Sequence, residues 1–99
     1  MRAYRVDANQ SKITAELRKM GVSVRPTHMV GNGFGDIVCG YQGLNFIFEI
    51  KDEDKPASAK KLTPAEVIFH YEWQGQVSII ETANDAWTII QQATRPKFD

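Results

Sequence analysis

The sequence predicts an α/β domain built on a mixed sheet with an antiparallel hairpin at its centre. Three observations carry this. Two segments, 7–21 and 63–75, have helix start and stop signals around apolar residues at helical spacing. Two strand-like runs, 36–41 and 44–51, flank a two-residue turn at Gln42-Gly43. A short apolar run, 76–81, follows the second helix and must rejoin the sheet by a crossover. The 99 residues suffice for one domain and not for two.

Asp7 is expected to cap the first helix, with Gln10 three residues on completing a capping box. Ile13, Leu17 and Met20 repeat at helical spacing, and Gly21 ends the run. Val22-Ser23-Val24 alternates and predicts a strand reaching towards Met29. Gly31 to Gly35 reads as a turn or a mobile loop. It is not a dinucleotide fingerprint, because the spacing is wrong and a strand follows it. Residues 52–62 are polar and carry Pro56, which predicts a mobile loop. Thr63, Pro64 and Glu66 make a strong helix start. Thr82 or Asn84 caps a last helix through Ala86, Trp87, Ile89 and Ile90, and a polar tail runs over 94–99. The expected order is helix, strand, hairpin, helix, strand, helix, within a single domain spanning 1–99.

No apolar run approaches the roughly 18 residues of a membrane span. The segment Met1 to Arg5 has no apolar signal-peptide core. The single cysteine, Cys39, excludes an internal disulfide and a Cys-rich zinc site, so a reducing, cytoplasmic setting is expected. Twelve basic and twelve acidic residues give zero net charge, so bulk charge does not announce a polyanion partner. The distribution is uneven. Residues 1–25 carry six basic and two acidic groups, whereas 26–50 carry only Asp36 and Glu49.

Those two acids become informative once the hairpin is folded. With the turn at Gln42-Gly43, Tyr41 faces Leu44, and the same register sets Asp36 opposite Glu49. Their Cβ atoms would then lie about 4.5–5.5 Å apart on one face. Lys51, two residues beyond Glu49, points to that face too, with Val38 and Ile47 deeper in. Ile37, Cys39, Phe46, Phe48 and Ile50 form the opposite, apolar face. Two ionised carboxylates at about 5 Å cost roughly 3 kcal/mol at an effective dielectric of about 20. Either Lys51 neutralises both acids in a cross-strand charge cluster, or a hard divalent cation, Mg²⁺ or Mn²⁺, reverses the sign. Asp, Glu and Lys around such a cation suit phosphodiester hydrolysis.

Gly35-Asp36-Ile37-Val38 followed by Phe48-Glu49-Ile50-Lys51 resembles the PD-(D/E)xK nuclease motif. The closer likeness is to small phage and bacterial nuclease domains of the VRR-NUC and Holliday-junction-resolvase-like kind. It covers the chain from about Asp7 to Ile90 and includes the Lys61-Leu62-Thr63-Pro64 helix start and the Gly75 to Ile80 strand. The resemblance implies a restriction-endonuclease-like core of order α-β-β-β-α-β(-α). It implies a Mg²⁺-dependent deoxyribonuclease, endonucleolytic and directed at branched or junction DNA, in which Mn²⁺ substitutes, and a homodimer. Asp36, Glu49 and the Ile50 backbone carbonyl would ligate the metal, and Lys51 would position or help deprotonate the attacking water. The acid often supplied by the first helix is replaced by Gln10 or moved to Asp7. Glu66 stands where the second helix often carries a glutamine. The alternative is a non-catalytic nucleic-acid-binding module that kept the fold.

Further residues could serve such a site. His28, before the glycine loop, could reach phosphate or assist proton transfer, or bond to backbone at a strand end. His70 lies among Phe69 and Trp73. Phe34 could stack on a base or anchor its loop. Arg5, Lys12 and Arg25, in the basic N-terminal quarter, and Lys55, Lys60 and Lys61, in the polar loop, are the candidate phosphate contacts. Trp73 and Trp87 read as core or interface residues.

Overall fold

The computed structural model describes residues 8–96. Asp7, Arg5 and the last three residues lie outside the described residues. The elements run α1 (Ala8–Lys19), β1 (Ser23–Pro26), β2 (Ile37–Tyr41), β3 (Leu44–Ile50), α2 (Pro64–Glu72), β4 (Val77–Ile80) and α3 (Ala83–Thr94), with one 3-10 turn at Ala57–Lys60. Four strands form one mixed sheet in the order β1-β2-β3-β4. The first two pairings are antiparallel, and β3 pairs with β4 in parallel. The fold class and element order are those expected.

The hairpin register follows from its turn. Gln42 and Gly43 both have positive φ, 49° and 82°, the backbone that a tight two-residue connection requires. Tyr41 pairs with Leu44, Val38 with Ile47, and Ile37 with Phe48, so alternate residues sort onto opposite faces as predicted. On the inner face Ile37, Cys39, Phe46 and Phe48 are buried, with Ile80 beside them from β4. Ile13 and Leu17 of α1 and Ala86 and Ile90 of α3 close over them. The Phe46 and Phe48 rings stack at 6.1 Å. Cys39 belongs to this core, where burial pushes its thiol up to about 12 and removes it as a nucleophile.

Met20, expected to extend the buried stripe of α1, is exposed. The helix has ended at Lys19, and Gly21 turns the chain away at φ 89°. β1 is shorter than expected and stops at Pro26, which cannot donate to the ladder. The next bond along, from Thr27 N to the Asp36 carbonyl (2.8 Å), fixes the backbone just before β2.

The outer face is different. The loop 31–35 and α2 approach it, and no residue of α2 is buried. α2 does start as predicted. The Thr63 hydroxyl accepts from Glu66 N, and Glu66 Oε1 accepts from Thr63 N. Phe34 ties the helix down, its ring 5.2 Å from Phe69 and 6.0 Å from Trp73. The loop 31–35, expected as a turn or a mobile loop, is therefore a seat for α2. A Cβ on Gly33 would come within 2.5 Å of the Ala65 carbonyl oxygen. Only a glycine, here at φ 76°, lets the loop backbone meet the first turn of the helix this closely. The polar segment after β3 also makes contacts. Ala59 N donates to the Pro56 carbonyl, and Lys60 pairs with Glu81 at 3.1 Å.

Candidate active site

The outer face carries the predicted acids at the end of the hairpin. Asp36 sits one residue before β2. Its N–H donates to the Phe48 carbonyl (2.9 Å), and its Oδ2 accepts from Ile50 N (2.7 Å). These two bonds aim the carboxylate across β3. Glu49, in the penultimate position of β3, is 6% exposed, an unusual burial for a carboxylate. Its carboxyl is within hydrogen-bonding reach of both Asp36 and Glu66.

Lys51 completes the group. Its Nζ lies 3.0 Å from Glu66 Oε1 and 3.7 Å from Glu49 Oε2. Glu66 Oε1 thus receives two donors, the Lys51 ammonium and Thr63 N at 2.8 Å. The helix cap and the site share one carboxylate, so the start of α2 sets where Lys51 rests.

These contacts decide the protonation pattern. Burial, reinforced by Asp36 and then Glu66, pushes Glu49 from the ordinary 4.5 up to about 9. Burial alone would raise Glu66 too, but the bonds from Thr63 and Lys51 outweigh it and hold Glu66 below the usual carboxylate range. Near neutral pH the site therefore holds a proton on Glu49, shared in a cluster of three carboxyls and one ammonium. Deprotonating Glu49 needs a further positive charge.

His70 belongs to the same neighbourhood and carried only a weak signal in the sequence. It lies one helical turn beyond Glu66, and its Nε2 is buried with no partner. Burial lowers its pKa, Lys51 adds to this, and Glu66 opposes it. The imidazole is neutral at pH 7. Its i, i+4 spacing from Glu66 was the one signal that could have found it.

Gln10 and His28 form a separate pair. Gln10 is 6% exposed, and its Nε2 lies 3.2 Å from His28 Nδ1. The amide that stands where an acid was expected is thus engaged by the histidine. His28 follows Thr27, whose N–H bonds the Asp36 carbonyl, so the pair adjoins the backbone that presents Asp36.

The candidate phosphate contacts do not converge. Arg25 is exposed and stands opposite Val38, on the outer face. Lys12 lines a cleft with Glu16, Glu53 and Glu81 instead. Lys60 is held by Glu81, while Lys55 and Lys61 are exposed.

Among the described residues no cluster of three or more His, Cys, Asp or Glu is arranged to hold a metal ion. Any cation here would rest on two carboxylates plus carbonyl and water oxygens. Among the described residues, too, no helix is long and apolar enough to cross a membrane. No family model, curated protein or solved structure matches this chain.

Proposed function

We propose that this protein is a Mg²⁺-dependent nuclease that hydrolyses phosphodiester bonds in DNA. One observation carries the reading: a buried Glu49 carboxyl meets Asp36 and lies 3.7 Å from the Lys51 ammonium, on a face the core does not need. A fold gains nothing from burying a carboxyl against two others. Hard oxygen donors backed by excess negative character fit Mg²⁺ or Mn²⁺. Asp36, Glu49 and the Ile50 carbonyl are the residues that would hold it. The metal would supply Lewis-acid stabilisation of charge on the phosphoryl oxygens.

The chain's own groups do the rest. Asp36 is pre-aimed by Ile50 N, so little reorganisation is needed when substrate arrives. Glu49 would have to release its proton to solvent to hold a cation, and Lys51, kept in place by Glu66, would then be free to meet the attacking water or a non-bridging oxygen. The resemblance to small resolvase-like nucleases supports branched DNA as the substrate and a homodimer as the assembly. Val67, Ile68 and Tyr71 on α2 are exposed apolar residues that a second copy could cover.

A second reading, a binding module that keeps the nuclease fold, is favoured by Gln10. Its amide is engaged by His28 where an acid would complete the site. Incubating duplex, flap, single-stranded and four-way-junction DNA with Mg²⁺ or Mn²⁺ separates the two. The nuclease reading expects metal-dependent cleavage of at least one substrate. It expects Lys51→Ala to slow that cleavage by about 10²-fold or more while affinity falls only modestly. Binding without cleavage on every substrate would leave the module reading.

A further inference from the structure

The outer face carries a second feature, further along the same strands. Phe34, Val38, Ile47 and Trp73 wall a cavity of about 450 Å³, with Asn45 and Gln76 also on its lining, where Gln76 Nε2 donates to the Asn45 carbonyl (2.8 Å). This volume falls in the roughly 300–1,000 Å³ range of small-molecule sites. Its wall is aromatic and held in place. The Trp73 ring is 33° from the plane of Phe69 at 5.2 Å and nearly perpendicular to Phe34. Trp73 is nonetheless 43% exposed, so part of its indole is open to a ligand.

The register places the cavity relative to the acids. Ile47 is two residues from Glu49 along β3, a displacement of about 6.5–7 Å. Arg25, Val38, Ile47 and Val77 form one row across the four strands, since directly opposed residues share a face. A basic side chain therefore stands at one end of the row that floors the cavity.

We propose that this cavity receives an unpaired base of the DNA strand whose phosphate lies at Asp36 and Glu49. The inference rests on the nuclease reading for that phosphate and adds the substrate class: DNA that is single-stranded, or locally unpaired, beside the scissile bond. A base within a duplex is stacked on both faces, so a base that lies against the half-exposed Trp73 ring has left the stack. Trp73 offers it a π-face, as sequence-tolerant single-strand sites do. Asn45 and Gln76 meet its polar edge, and Arg25 meets the neighbouring phosphate.

The test needs no cleavage. In a Trp87→Phe background, Trp73 is the only tryptophan. A short single-stranded DNA and an abasic strand of the same length are titrated with Ca²⁺ in place of Mg²⁺, a hard cation that can bridge carboxylates and phosphate, following Trp73 fluorescence and affinity. The strand with bases is expected to quench Trp73 and to bind about tenfold tighter than the abasic strand, the gain of stacking one base. Trp73→Leu removes the stacking face, and Val38→Phe fills the cavity while leaving Trp73 in place. Each is expected to abolish the difference at unchanged abasic affinity, with Val38→Phe deciding if Trp73→Leu does not fold. Equal affinity for the two strands, an unresponsive Trp73, or a difference that survives Val38→Phe would overturn the proposal. Base-dependent binding without Mn²⁺-dependent cleavage would keep the cavity and remove the nuclease. Cleavage with equal affinities would do the reverse.

Discussion

The two faces of the sheet solve opposite problems. The inner face is apolar but for Ser78 opposite Phe48, and is packed by α1 and α3, with Phe48, Ile37 and Ile90 at zero exposure. The outer face buries the Glu49 carboxyl, sets the Lys51 ammonium between it and Glu66, and leaves α2 without a buried residue. The strands are the same; alternation alone sends Phe48 one way and Glu49 the other. Stability is concentrated on one side, which frees the other to hold an arrangement that costs stability. That division is what a functional site built on a rigid element requires.

The comparison breaks most visibly at Phe48. Phe48→Ala should cost about 3–5 kcal/mol through lost burial and the cavity left behind, a large share of the stability of so small a domain. Urea unfolding measures it, and a loss below about 1 kcal/mol would deny that the inner face carries the fold. Glu49→Gln, its neighbour on the other face, should do the reverse. Cleavage should be lost, while stability at pH 8 should hold or rise, because the neutral amide replaces a carboxyl that the folded chain keeps protonated.

Titration sharpens the same contrast. The folded protein retains a proton on Glu49 up to about pH 9, whereas the unfolded chain releases it near the ordinary 4.5. Between those limits the unfolded state binds fewer protons, so stability falls as pH rises through the window and is fully present below it. Glu66, held low, acts in the other direction, and only at pH values below its ordinary range. Melting temperature should therefore decline from about pH 5 to 9 in wild type and lose that component in Glu49→Gln. Parallel profiles for the two proteins would refute the protonated Glu49.

The seat of α2 gives smaller effects. Gly33→Ala sets a methyl group against the Ala65 carbonyl at positive φ and should cost about 1–3 kcal/mol. Because α2 carries Glu66, it should also disturb Lys51 and slow cleavage. Thr63→Ala removes only the cap hydroxyl and should cost about 1 kcal/mol.

Much of this was legible in the sequence because it is local. The Gln42-Gly43 turn set the register, and the register set the faces, the core and the position of Asp36 and Glu49 at the hairpin end. The Thr63 cap was legible from three residues. Contacts between distant segments were not. Nothing in Gly31 to Gly35 says that Gly33 meets Ala65, or that Phe34 reaches Phe69 and Trp73 to wall an open cavity. Lys60 looked free until the β4–α3 connection brought Glu81 to it. His70 looked like one more helix residue until the helix was laid beside Lys51. The burial of Glu49 was likewise invisible, since a strand-end glutamate reads as solvated until α2 covers it.

The central claim is that the outer face is built around a cation, and Mn²⁺ binding tests it without any substrate. Melting temperature is measured at pH 8 against Mn²⁺ from micromolar to millimolar concentration, for wild type, Asp36→Ala and Glu49→Gln. A cation held by the native state stabilises by mass action, and each kcal/mol raises the midpoint of a domain this size by about 4–8 °C. Wild type should show a saturable rise of several degrees that neither variant shares. A wild-type midpoint that stays fixed to millimolar Mn²⁺, or a rise of equal size in Asp36→Ala, would contradict the claim.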